Sequence, residues 1–75
     1  MSNYFSTSDI ALAAVLSLYF PVDSLDKRNP SRVEFLFERR SELDALIQRY
    51  WSRALEVEPQ AFFSSLKNLK NRIYS

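Results

Sequence analysis

The sequence of 75 residues contains no cysteine, no histidine and no glycine. Each absence removes a class of chemistry. Without Cys or His there is no disulfide, no zinc site of the usual kind, and no Ser-His or Cys-His nucleophile pair. Without Gly there is no Walker loop and no dinucleotide fingerprint, since both need glycine where backbone meets phosphate. Charge of one sign is lacking too: ten Lys and Arg against nine Asp and Glu leave a net charge of +1, too little for a general attraction to nucleic acid or acidic membranes. The one long apolar stretch, residues 10–20, is shorter than the ~20 residues a membrane span needs. No base precedes Lys27, as a secretory leader would require. A cytoplasmic protein without membrane association is expected, and no cofactor or small-molecule substrate is indicated.

What is present is 47% hydrophobic and 15% aromatic residues, the composition of a packed domain. One small domain over residues 1–75 is expected. A chain of this size is marginal alone, so a homodimer or another protein as partner is expected.

Residues 3–6 read as a very short strand or an extended lead-in. Residues 8–19 read as a helix, apolar on nearly every side and therefore central. Ser6 and Asp9 have capping-box spacing, with Phe5 and Ile10 as the hydrophobic staple. Pro21 ends this helix and pushes Phe20 into extended backbone. Residues 22–26 are a weak strand, and Asn29-Pro30 marks a turn. Residues 32–38 are the clearest strand: Val33, Phe35 and Phe37 alternate with Arg32, Glu34, Leu36 and Glu38, so the first set faces the core.

Ser41 and Asp44 repeat the capping spacing before a second helix over residues 42–55, whose apolar stripe is Leu43, Leu46, Ile47, Tyr50 and Ala54. Glu56-Val57 is an extended break that pairs with Tyr4-Phe5. Pro59 suits the first position of a third helix, with Glu58 at its cap and Phe62, Leu66, Leu69 and Ile73 as its stripe. Lys67, Lys70 and Arg72 suit its C-terminal end. The expected fold is α+β: a two-stranded antiparallel hairpin, with a third short strand added, packed on three helices.

Four stretches, FSTSDIALAAVL, RVEFLFE, SELDALIQRYW and VEPQAFFSSLKNLKNRIY, together resemble a family of short prokaryotic domains of unknown function. Its members share an aromatic-Ser/Thr-x-Asp helix start, a Phe-rich strand and a Val-x-Pro-x-x-Phe C-terminal helix. The resemblance runs from Phe5 to Tyr74. It implies a small α/β domain and carries over no catalytic or ligand-binding residue.

The acids offer the pairs Asp23/Asp26 and Glu34/Glu38, but solvated or capping roles account for them, and no catalytic or metal residue is assigned. Six arginines crowd the middle of the chain: Arg28, Arg32, Arg39, Arg40, Arg49 and Arg53. Arginine suits phosphates and carboxylates, so these form a candidate basic patch. Four acids interspersed among the bases of residues 27–53 weaken it, and only weak nucleic-acid binding is expected. Eleven aromatics are too many for so small a core. Trp51 and Phe63 widen the helix stripes sideways, and Leu36 lies on the outer strand face. These three are the candidate protein interface. The expected function is a non-enzymatic protein-interaction or self-associating module; the alternative is a nucleic-acid-binding accessory protein or regulator using the arginines.

Overall fold

In the computed structural model, residues 3–74 are described. The element order is β1 (Tyr4–Thr7), α1 (Ile10–Ser17), β2 (Ser24–Asp26), β3 (Glu34–Glu38), α2 (Ser41–Trp51) and α3 (Pro59–Tyr74). The strands form one antiparallel sheet in the order β1-β3-β2. The two-stranded hairpin expected from the sequence therefore supplies two strands of a three-stranded sheet, and the third is β1. The outer strand β1 pairs with β3, Phe5 opposite Phe37 and Thr7 opposite Phe35. Glu56-Val57 forms no strand, which corrects its expected pairing with Tyr4-Phe5. β3 takes a neighbour on each of its two backbone edges, β1 on one and β2 on the other.

Asp9, not Ser6, caps α1. Its carboxylate accepts from the backbone N–H groups of Ala11 and Leu12 at 3.0 and 3.2 Å. Ser6 is instead a strand residue opposite Leu36, so the expected capping box does not form, while Phe5 and Ile10 both pack against the core. The helix stops at Ser17. Beyond it the chain tightens, with Tyr19 N–H donating to the Leu16 carbonyl, before Pro21 forbids continuation.

The second expected capping box is also absent. Arg40 occupies the cap position of α2 without a side-chain cap bond, and the Ser41 hydroxyl donates to Glu42 Oε1. Asp44 faces Arg39 at 3.7 Å. The helix ends at Trp51, short of the expected residue 55, because Arg53 has φ 62°. Two bonds close the end: Arg53 N–H to the Tyr50 carbonyl and Ala54 N–H to the Arg49 carbonyl. This is the Schellman arrangement. At the start of α3 the expectation holds. Pro59 is the first residue, and Glu58 Oε2 accepts from Ala61 N–H at 2.6 Å.

One buried cluster draws on α1 (Leu12, Ala13, Ala14, Leu16), β3 (Phe35, Phe37), α2 (Leu43, Leu46) and α3 (Leu69). The alanines of α1 let α3 approach closely. There the hydroxyls of Ser17 and Ser65 meet beside the Ala14 carbonyl. Lys27 Nζ donates to the Arg72 carbonyl at 2.7 Å, tying the β2–β3 connection to the C-terminal end of α3.

Candidate functional site

Val15 is buried yet stands apart from the main core cluster. It forms the floor of a cleft of about 510 Å³ whose walls are Tyr50, Trp51, Arg53, Leu55 and Val57. The cleft exists because α2 ends early. The left-handed turn at Arg53 folds residues 54–58 back beside the last turn of the helix. Trp51, the chain's one tryptophan, stays 64% exposed on its rim. Burial pushes the Tyr50 hydroxyl up from its usual pKa, with the Asp9 carboxylate adding to the shift.

A second groove of about 330 Å³ adjoins it, lined by Tyr19, Phe20, Ala45, Leu46 and Leu55 and rimmed by Glu42, Arg49 and Glu56. Leu55 belongs to both. The two hollows meet at Leu55, with Trp51 on the first and Tyr19, itself 53% exposed, on the second.

The structure separates the three residues of the candidate interface. Trp51 sits on this surface. Phe63 is 63% exposed on α3, with its ring edge toward Phe62, and it lines neither hollow. Leu36 is half-buried on the central strand between Ser6 and Ser24. Tyr19, Phe20 and Leu55 were not singled out by sequence. Their signal is weak: Phe20-Pro21 marks where a helix must stop, and a helix stop is where a groove opens.

The six arginines are spread over several elements. Arg28 pairs with Asp26 at 2.7 Å. Arg32 Nε donates to Ser8 Oγ at 3.3 Å. Arg39 lies near Asp44 and over the Phe5 ring, and Arg40 lies near Glu38 and over the Phe20 ring. Arg53 helps line the first cleft and Arg49 the second. Among the described residues no three of Asp and Glu gather as a metal site, and no helix is long and apolar enough to cross a membrane.

The family described as a domain of unknown function, DUF5659, matches residues 2–75. The chain belongs to DUF5659. The expectation of a family of unknown function, drawn from the four stretches, holds. No curated protein and no solved structure matches this DUF5659 chain. Its apolar surface around Leu55 therefore has to be read on its own chemistry.

Proposed function

We propose that this DUF5659 chain is a non-enzymatic protein-interaction module and that it binds through the surface centred on Leu55. One observation carries the reading. Two adjacent hollows share Leu55 and expose large aromatic side chains at both ends, Trp51 and Tyr19. Aromatic residues gathered on a concave apolar surface with a charged rim are the make-up of a protein contact.

The distribution of charge over the chain favours protein over nucleic acid. A phosphate backbone needs unpaired cations, whereas Arg28, Arg39 and Arg40 each have a carboxylate within 2.7–3.7 Å. The second groove also carries Glu42 and Glu56, which repel phosphate.

The test is site-specific photo-crosslinking in living cells, with benzoylphenylalanine at Tyr19, at Trp51, and at Lys67 on α3 as control. Position 19 or 51 should capture a protein of defined mass and position 67 should not. No adduct from either groove position, or the same adducts from all three, would overturn the reading.

A further inference from the structure

We infer that the groove on α2 is covered by α2 of a second copy of this chain, lying antiparallel across a two-fold axis. The inference rests on the interaction surface just proposed and names its occupant. Glu42, Ala45 and Arg49 line one groove. They fall three and then four residues apart, so they form a single stripe of α2, with the two charges ~10 Å apart along the axis. The acid sits at the N-terminal end of the stripe, the base at the C-terminal end, and the small residue between them.

This order is self-complementary. A two-fold axis through the middle of the stripe places Glu42 of one copy against Arg49 of the second, and Arg49 against Glu42, by symmetry. Ala45 at the crossing lets two helix axes approach to about 8 Å. Within one copy the charges are too far apart to pair. Arg49 has no acid three or four residues away on its helix, and among the described residues its guanidinium has no ion-pair or hydrogen-bond partner. Glu42 is held ionised, its carboxyl drawn below the usual range by its own backbone N–H and by the Ser41 hydroxyl. Glu56 on the same rim offers the incoming Arg49 a second acid. Tyr19, Phe20 and Leu55 extend the contact beyond the helix. An interface centred on a helix of 11 residues is small, so the association belongs in the micromolar range.

The experiment is sedimentation equilibrium of the full chain from low micromolar to several hundred micromolar. Four samples are compared: wild type, Glu42→Arg, Arg49→Glu, and the double exchange. Wild type should dimerise. Each single variant sets two like-charge contacts in place of two opposite ones and should weaken the dimer by about ten- to thirtyfold. The double variant should recover to within about threefold of wild type, since every pair is again opposite. The two single variants mixed should form heterodimers, because Arg at 42 then faces Glu at 49 and the native pair is retained. Circular dichroism melts of the exposed-site variants check that the fold is intact. A wild type that stays monomeric, single variants that dimerise like wild type, or a double variant no better than the singles each overturn the inference. Crosslinking from Tyr19 to a different protein would overturn it too, while leaving the interaction surface standing.

Discussion

Ser65 on α3 meets Ser17 on α1 hydroxyl to hydroxyl, across 48 residues of chain. Both oxygens also lie within hydrogen-bonding distance of the Ala14 carbonyl, 2.8 Å for Ser17 and 3.0 Å for Ser65. Three contacts share two hydroxyl protons, and the Ala14 carbonyl, with its two lone pairs, can accept from both. A hydroxyl on α3 that reaches a backbone carbonyl of α1 sets the two helices close together here.

Ser65→Ala should destabilise the domain by about 1 kcal/mol, the usual net worth of one such bond. Ser65→Leu should cost a further ~1–3 kcal/mol by forcing α1 and α3 apart. Urea unfolding measures both. A leucine variant as stable as wild type would mean that the helices are not in close contact.

Arg53 holds a conformation that suits glycine, at φ 62°. A side chain with a Cβ costs roughly 1 kcal/mol there. Arg53→Gly should therefore stabilise the chain by about that much and raise Tm by roughly 4–8 °C. Differential scanning calorimetry reads it directly. An unchanged or lower Tm would contradict the left-handed end of α2.

Phe35 is 1% exposed and Leu36, one residue on, is half-buried on the opposite face of β3. Phe35→Ala should cost about 3–5 kcal/mol, a large part of the ~5 kcal/mol available to a small domain. Leu36→Ala should cost much less. Equal melting temperatures for the two would show that the strand is in another register.

Asp26 accepts from Arg28 through both the guanidinium and the backbone N–H. The side-chain bond and then the backbone bond lower its pKa from 3.8 to about 2. A depressed carboxylate pKa favours the fold above the unfolded value and stops doing so as pH falls through the folded one. The Asp26 contribution should thus be intact above about pH 4 and lost as pH falls toward 2. Arg28 is 91% exposed, so the effect on stability is small and salt-sensitive. Carboxyl-carbon NMR titration should find the midpoint near 2 and move it back toward 3.8 in Arg28→Gln. A wild-type midpoint already at 3.8 would remove the pair.

Much of the fold was legible because it rests on local pattern. Alternation placed Phe35 and Phe37 inside, the run after Asp9 placed α1 at the centre, and Glu58-Pro59 marked where α3 begins. The choice among strand partners was not legible. Tyr4 and Phe5 are equally fit to pair with Val57 or Phe37, and only the assembled core distinguishes them. Caps misled for a related reason. Ser6 and Asp9 can both accept a helix N–H, and pairing with Leu36 removes Ser6 from the choice. The turn at Arg53 carries no glycine or asparagine to announce it. With that turn hidden, the surface around Leu55 was hidden too, and only Trp51, Arg49 and Arg53 of its members could be named beforehand.

The middle strand of the sheet is the last of the three in the chain. Neither edge strand has a mate until residues 34–38 are in place, and their closures differ in length. Seven residues separate Asp26 from Glu34, and 26 separate Thr7 from Glu34. Closing the longer loop costs about 1 kcal/mol more in chain entropy. On loop length alone, β2 is expected to meet β3 before β1 does, so lengthening the 27–33 connection should slow formation of the sheet more than its small effect on stability suggests.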